Sequence, residues 1–188
     1  VLAGGDPLLI AHALDDGREL WRAAVLGGEL APSPVLVGDR VLVASPGHSL
    51  SMVRLGGAGD VTATHVAWKD EQDVPDVPTP VVLGDLIFTA STEGKLVCRE
   101  AATGAVVWRH ELELEIQASP LGCGDRLYLF GQPGEVVLIA NAREFRELGR
   151  LSLGEEVYAS PAVAGDDLVV RTRKSLIRLG AGAAAGAR

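Results

Sequence analysis

Short runs of apolar residues follow one another along most of the chain, and small or polar turn residues separate them. Runs this short do not form helices that bury one face, and they are typical of β-strands in sheets buried on both sides. The 188 residues include 23 glycines and ten prolines, which favour frequent turns over long helices. The pattern therefore predicts an all-β fold.

One seven-residue sequence motif recurs four times, at residues 33–39, 79–85, 119–125 and 160–166. Each copy reads Ser or Thr, Pro, three mostly apolar residues, Gly and Asp, and the prolines are 46, 40 and 41 residues apart. Proline opens a strand because it cannot donate to a central ladder, and Gly-Asp suits a tight turn because glycine accepts a positive φ. The fixed offsets predict a structural repeat.

Each repeat continues into further short strands. A second strand follows each Gly-Asp turn, at 41–44, 86–89, 127–130 and 168–171, and a third strand follows a small polar loop. Three copies add a fourth strand, at 65–68, 106–109 and 145–151. Four short strands per repeat of about 40 residues match the blade of a β-propeller.

The repeats predict about four blades in one domain, residues 1–180. Their segments are about 8–30, 31–75, 76–116, 117–157 and 158–180. Residues 8–14 and 19–24 resemble a third and a fourth strand, whereas the last segment lacks a fourth strand, so the first and last segments are expected to complete one blade. The Gly/Ala stretch 181–188 is expected to be a flexible tail.

Two segments carry a further motif. Residues 13–21 and 99–108 both place three residues between a glycine and a tryptophan, as Gly17 with Trp21 and Gly104 with Trp108. They resemble the A-x-D-x-x-T-G-x-x-x-W docking motif of the PQQ-like, or quinoprotein-type, β-propeller repeat family, and the resemblance covers roughly residues 8–179. In that family the tryptophan packs against the next blade, which implies a structural role for these four residues.

The two other tryptophan positions are less regular. Trp68 fits the docking position after a longer, glycine-rich turn at 56–60, and the fourth repeat departs from the pattern, with Leu148 near the expected position.

The resemblance does not extend to the catalytic residues of the quinoprotein dehydrogenases. Those enzymes use two adjacent cysteines above the quinone and a set of Ca²⁺ ligands, whereas Cys98 and Cys123 are 25 residues apart. The favoured interpretation is two buried free thiols, with a disulfide as the alternative. The chain therefore resembles the non-enzymatic branch, which includes BamB-like assembly lipoproteins and PQQ-like repeat proteins of Planctomycetes type. No enzymatic activity, no metal and neither PQQ nor Ca²⁺ is expected.

Charge and hydropathy exclude other classes of function. The formal net charge of −8 disfavours nucleic acid as a partner. No apolar run approaches the length of a membrane span. The sequence starts at Val1 without a signal peptide, so we expect either that a leader was removed or that the sequence is part of a longer protein. The resemblance implies a bacterial, extracytoplasmic and periplasmic location.

The candidate binding residues lie in loops. In a propeller, the loops from second to third strands and from each fourth strand to the next blade share one face around the channel, which is the default binding surface. The residues predicted there are His48, Asp73, Asp76, Glu93, Gln132, Arg173 and Lys174. The four aspartates of the Gly-Asp turns are explained by the turn itself. The alternation of glutamates with apolar residues at 111–116 is interpreted as an outer strand with its charges in water.

These observations favour a non-catalytic module that binds or scaffolds a protein partner. One alternative is a small-ligand or quinone-binding domain derived from a PQQ-dependent dehydrogenase, and another is a structural subunit of a larger cell-envelope assembly. A half-ring of about four blades would expose apolar blade faces. A homodimer closing an eight-bladed ring is therefore expected, with a small four-bladed ring or part of a longer propeller as alternatives.

Overall fold

The computed structural model describes residues 1–180, so the predicted tail at 181–188 lies outside the described residues. The described chain forms five sheets, numbered here in chain order, and their strands are mostly antiparallel. Sheet 1 contains β1 (Leu2–Gly5), β2 (Leu8–His12), β3 (Glu19–Ala24) and the two-residue strand β7 (Gly59–Asp60). A short helix, α1 (Thr62–His65), follows β7.

Sheets 2, 3 and 4 each have four strands in simple sequential order. Sheet 2 contains β4 (Val35–Val37), β5 (Arg40–Ser45), β6 (Ser49–Arg54) and β8 (Val66–Asp70). Sheet 3 contains β9 (Val81–Leu83), β10 (Leu86–Ala90), β11 (Lys95–Glu100) and β12 (Val106–Glu111). Sheet 4 contains β13 (Leu121–Cys123), β14 (Arg126–Phe130), β15 (Glu135–Ala140) and β16 (Glu147–Ser152). Sheet 5 contains β17 (Ala162–Ala164), β18 (Asp167–Arg171) and β19 (Leu176–Leu179).

The Gly-Asp turns form the tight connection between the first two strands of sheets 2 to 5. Their glycines, Gly38, Gly84, Gly124 and Gly165, have φ between 60° and 63°. L side chains rarely adopt this conformation, which explains the glycine at a fixed offset in every repeat. The prediction of an all-β propeller with about four blades is confirmed, as four four-stranded sheets and one three-stranded sheet.

The two ends of the described chain form separate sheets. No strand of sheet 1 pairs with a strand of sheet 5 within residues 1–180, so the first and last segments do not share one hydrogen-bonded blade there. Sheet 1 has an additional strand, β1, that the repeat pattern did not indicate, because Gly5-Asp6 is not preceded by the Ser/Thr-Pro that begins the other four copies. Its outer edge is extended by β7, which pairs in parallel with β3.

The segment 111–116 is a connection rather than a strand. β12 ends at Glu111, and the following residues run as a loop towards sheet 4. The alternation of exposure nevertheless holds, since Leu112, Leu114 and Ile116 are buried. These side chains join the core between sheets 3 and 4, so the period-two pattern reflects a loop packed over the core.

The core lies between consecutive sheets. One cluster of buried side chains joins sheets 1 and 2, a second joins sheets 2 and 3, a third joins sheets 3 and 4, and a fourth joins sheets 4 and 5. Sheets 2, 3 and 4 thus bury both faces, which accounts for their nearly continuous apolar strands. No helix within residues 1–180 has the length and apolar character that crossing a membrane requires.

The two cysteines are free and differ in environment, so the interpretation of two buried thiols is wrong for Cys123. Cys98 is buried in β11, whereas Cys123 is exposed at the end of β13. Burial raises the pKa of the Cys98 thiol to about 12. A thiol needs exposure and a thiolate to react, so only Cys123 meets the first condition in the folded chain.

Thiol labelling of the native protein with a maleimide is therefore expected to modify one residue per chain. Cys98 should react only when the protein is unfolded in denaturant, and peptide mass spectrometry identifies the modified residue. Rapid native labelling of Cys98 would contradict its burial between sheets 3 and 4.

Candidate functional site

Two tryptophans bridge neighbouring sheets through the same contact. Trp68 in sheet 2 donates its indole N–H to the carbonyl of Ala101 in sheet 3, at 3.1 Å. Trp108 in sheet 3 donates to the carbonyl of Ala142 in sheet 4, at 3.0 Å. Both acceptors lie in the turn that follows the third strand of the next sheet. Trp21 is buried in the core between sheets 1 and 2.

The glycine of the docking motif lies directly against the tryptophan of the preceding sheet. A Cβ atom on Gly104 would come within 2.7 Å of the Trp68 ring, and Gly104 has a φ of 76°. Gly17 occupies the corresponding turn in sheet 1 with a φ of 70°, but no atom lies within 4 Å of its Cβ position. At Gly104, any side chain would therefore displace the indole as well as strain the turn.

All seven predicted binding residues lie in loops on one side of the sheets, called here the loop face. It consists of the connections between second and third strands and of those that lead from one sheet to the next: residues 25–34, 46–48, 71–80, 91–94, 112–120, 131–134, 153–161 and 172–175. The Gly-Asp turns and the docked tryptophans belong to the opposite ends of the strands.

Asp73 anchors the connection between sheets 2 and 3. Its carboxylate lies 2.5 Å from the Lys95 ammonium and 2.7 Å from Nε of Arg109, and only 10% of the Asp73 side chain is exposed. Its φ of 52° is in the left-handed region, which aspartate tolerates better than most residues. Burial alone would raise the pKa of Asp73, but hydrogen bonds and charges from Lys95 and Arg109 lower it below its usual value.

Asp76 binds the next loop of the same face. Its carboxylate accepts hydrogen bonds from the Thr92 amide at 2.8 Å and from the Thr92 hydroxyl. Burial alone would raise the pKa of Asp76, but the bonds from Thr92 and from the Val77 amide lower it. Asp73 and Asp76 are thus structural clamps that hold the connection onto sheet 3.

A buried arginine that the sequence analysis missed completes this clamp. Arg99 in β11 is fully buried and pairs with Asp70, the last residue of sheet 2. It also donates to the carbonyls of Gly104 at 3.1 Å and Gln72 at 2.7 Å. Its position at the end of an apolar strand resembles an ordinary exposed charge, and its counter-ion is 29 residues away. Only the tertiary structure shows the pair.

The basic predicted residues belong to a second clamp, between sheets 4 and 5. Arg173 lies 2.7 Å from Glu156, and the Lys174 amide donates to Glu155 at 3.3 Å. Glu155 also accepts from the hydroxyls of Thr172 at 2.5 Å and Ser175 at 3.0 Å. These bonds, Thr172 first, lower the pKa of Glu155. A shallow cavity of about 410 Å³ lies between the two glutamates and the two basic residues.

The remaining predicted residues are spread over the loop face. The Gln132 amide donates to the hydroxyl of Tyr158 at 3.1 Å, and Tyr158 is half exposed. Glu93 is exposed at the tip of the β10–β11 loop. The His48 ring packs on Gly27, whose Cβ would lie 3.0 Å from it. The structure therefore forms two local clusters and does not bring all seven residues into one pocket.

The catalytic features of the quinoprotein enzymes were compared with the described residues. Within residues 1–180, no three His, Cys, Asp or Glu side chains converge as metal ligands. The two cysteines are separate, one buried and one exposed. The polar clusters around Asp76 and Glu155 are paired internally.

Acid is expected to destabilise this face through its aspartates. Asp70, Asp73 and Asp76 have pKa values in the folded protein below their usual range. Their contribution to stability is therefore complete above the ordinary pKa of about 4 and is lost as the pH falls through the lower folded values. An Asp76→Asn variant should lose less stability than wild type between about pH 5 and pH 2. Urea denaturation at several pH values measures this. The control Asp39→Asn, in an exposed turn, should follow wild type.

The sequential four-stranded sheets, the Gly-Asp turns and the tryptophans docked on the next sheet define a β-propeller of PQQ-like repeats. Comparison with known proteins agrees: residues 62–148 match the family model described as "Outer membrane protein assembly factor BamB". These similarities support the resemblance to the PQQ-like repeat family that the docking motifs implied.

Two curated proteins are similar in sequence to this chain. Outer membrane protein assembly factor BamB of Shewanella oneidensis is 24% identical over 219 residues, covering 90% of this chain and 55% of that protein. Polyvinylalcohol dehydrogenase of Sphingopyxis sp. is 29% identical over 126 residues, covering 57% of this chain and 19% of that protein. The chain thus spans about half of one relative and a fifth of the other.

Solved structures share the fold. BamB from Moraxella catarrhalis superposes with a TM-score of 0.66 at 14% identity, covering 95% of this chain and 56% of that chain. At this identity the similarity concerns the architecture alone.

Proposed function

We propose that the chain is a non-catalytic protein-binding module whose binding surface is the loop face. The observation that carries the proposal is the way the loops of this face are joined to one another. Asp76 ties the connection leaving sheet 2 to the β10–β11 loop, and Glu155 ties the connection leaving sheet 4 to the β18–β19 loop. A surface held in one conformation before binding loses little entropy when a partner docks.

The exposed side chains on this surface indicate the chemistry of the partner. Glu93, Glu113 and Glu115 are exposed, and within residues 1–180 they form no ion pair. Tyr158 is exposed on the same side and adds an amphipathic ring of the kind enriched in protein interfaces. A partner with a basic surface and an apolar contact for Tyr158 fits these features. The charges would accelerate its association and make binding sensitive to salt.

The relatives support this function over an enzymatic one. One of them is named an assembly factor for outer membrane proteins, and no cluster of three His, Cys, Asp or Glu side chains occurs within residues 1–180. The polyvinylalcohol dehydrogenase match leaves a quinone-binding or small-ligand domain as the second candidate. That candidate requires a rise in the melting temperature when PQQ and Ca²⁺ are added. We expect no such change.

Charge reversal on the two faces tests the proposal. Immobilised wild type would be incubated with the envelope extract of the source bacterium, alongside Glu93→Lys/Glu113→Lys and the control Asp39→Lys/Asp125→Lys. The control aspartates are 87% and 88% exposed on the opposite ends of the strands. Quantitative mass spectrometry should show at least a tenfold loss of the bound partner with the loop-face variant only. Equal retention by both variants would contradict the proposal.

The location and assembly of the chain are further proposals. An extracytoplasmic site in the bacterial envelope follows from the role named for the BamB relatives, as does the alternative of a structural subunit in an envelope assembly.

Val163 and Leu176 of sheet 5 are 58% and 71% exposed, and apolar surface of this kind favours association. We propose a homodimer that closes a ring, in which the five sheets of each chain would give ten blades and not the eight that the repeats predicted. Light scattering should give about twice the 19.6 kDa chain mass, and a monomer mass would contradict it.

A further inference from the structure

The fourth strand of sheet 4 lacks the tryptophan that the other fourth strands carry. In sheets 1 to 4, the residue at this position pairs with a residue of the third strand, just before the point at which the pairing register shifts. In sheet 1, β2 and β3 take the places of the third and fourth strands. The pairs are Trp21 with Ala11, Trp68 with Met52, Trp108 with Cys98 and Gly149 with Leu138. The structural equivalent of the tryptophan is therefore Gly149, and not the neighbouring Leu148.

An open apolar cleft lies beside this glycine, between sheets 4 and 5. It has a volume of about 440 Å³, and its apolar lining includes Tyr128, Leu138, Leu151, Leu168 and Leu179. No atom lies within 4 Å of the Cβ position of Gly149. The volume is within the range of about 300 to 1,000 Å³ that is usual for ligand sites.

Comparison with the preceding interface shows what is missing. Between sheets 3 and 4, Phe88 and Cys98 are 2% and 0% exposed, and Trp108 packs on the same core. The register places Tyr128 and Leu138 at the equivalent positions of sheet 4, and both are only partly buried. The cleft is thus lined like a tryptophan-docking interface, but β16 contributes no tryptophan to fill it.

We propose that this cleft binds an aromatic side chain, of tryptophan size, from an extended segment of a partner protein. The outer edge of β16 pairs with no strand among residues 1–180. At the corresponding edge of sheet 1, β7 pairs with β3 directly opposite Trp21. A segment at the β16 edge would place a residue opposite Gly149, with its side chain on the face that lines the cleft.

The chemistry of a glycine in a sheet favours an aromatic occupant. A glycine leaves the surface of its sheet uncovered, and an aromatic residue on the adjacent strand stabilises the pair by covering it. Leu148 and Leu151 are each 43% exposed beside Gly149, which adds apolar contact for the flanking side chains. The proposed occupant continues the series of aromatic contacts made by Trp21, Trp68 and Trp108. This site is distinct from the loop face and does not depend on the function proposed for that face.

Peptide titration tests the site on the full chain. The probes are the capped peptide Thr-Val-Trp-Val-Thr and its analogue with alanine in the centre, followed by NMR chemical shifts. We expect the tryptophan peptide to bind with a dissociation constant of about 1 mM or tighter, and at least tenfold more tightly than the alanine peptide. Shifts should concentrate at residues 147–151 and 176–179. Equal affinity of the two peptides would overturn the proposal.

A variant that fills the cleft provides the second arm. Gly149→Trp supplies the indole from the chain itself and should reduce peptide binding at least tenfold. Ser152→Trp places the same side chain on the opposite face of β16, because it is three residues further along the strand, and should bind as wild type does. Gly149→Leu serves if the tryptophan variant does not fold. Unchanged binding by the filled variant would overturn the proposal. Binding of free N-acetyl-tryptophanamide as tight as that of the peptide would contradict the extended segment.

Discussion

Replacing Trp108 with alanine is expected to lower the free energy of unfolding by about 3–5 kcal/mol. The indole packs between Phe88 and Phe145, with ring centroids 5.9 Å and 5.5 Å away, and it donates to the Ala142 carbonyl. Alanine would leave a cavity between sheets 3 and 4 and an unpaired turn carbonyl. Urea denaturation followed by circular dichroism measures the loss.

Two further variants separate packing from hydrogen bonding at this position. Trp108→Phe keeps much of the ring but removes the N–H donor, and it should cost less than the alanine variant. Val163→Ala, at a residue that is 58% exposed, should change stability by no more than about 0.5 kcal/mol. Because Cys98 pairs with Trp108 across β11 and β12, maleimide labelling of Cys98 should accelerate in Trp108→Ala. A loss below about 1 kcal/mol would contradict a docking role for Trp108.

Removing the counter-ion of the buried arginine is the second large expected effect. Asp70→Ala should destabilise the protein by about 3 kcal/mol, because it leaves the Arg99 guanidinium buried without an opposite charge. Its bonds to the Gly104 and Gln72 carbonyls remain and moderate the loss.

The double variant Asp70→Ala/Arg99→Met makes this prediction specific. Methionine removes the buried charge and fills much of the same space, so the double variant should be more stable than Asp70→Ala alone. Urea denaturation of both single variants and of the double variant gives the coupling free energy between Asp70 and Arg99. Additive losses would show that the two residues do not depend on each other.

The sequence predicted most of the fold because the repeat specifies it locally. The Gly-Asp turn and the proline four residues before its glycine define where each first strand begins and ends, and the strands of sheets 2 to 4 lie close to where they were expected. The segment 55–65 was predicted less well. Its glycines allow many conformations, and only packing against sheet 1 selects β7 and α1.

The candidate site was less predictable because its interactions join residues far apart in the chain. The loop positions of Asp73 and Asp76 could be predicted, but their partners Lys95, Arg109 and Thr92 could not. Arg99 resembled a surface charge at a strand end, whereas it is fully buried and bonds to Asp70 and to the Gln72 carbonyl. Gly149 was missed because Leu138 and Gly149 are eleven positions apart, whereas the pairs of Ala11 with Trp21 and Cys98 with Trp108 are ten apart. Leu148 therefore occupied the expected position in the linear pattern.

Site-specific photo-crosslinking in intact cells of the source organism tests the central claim, protein binding at the loop face, most directly. A benzophenone amino acid would replace Glu93 on the loop face or, as the matched control, Asp39 on the opposite side; both residues are exposed. The account predicts a discrete cross-linked protein from the Glu93 position and none from Asp39. Cross-links from Asp39 alone, or the same products in equal yield from both positions, would contradict it.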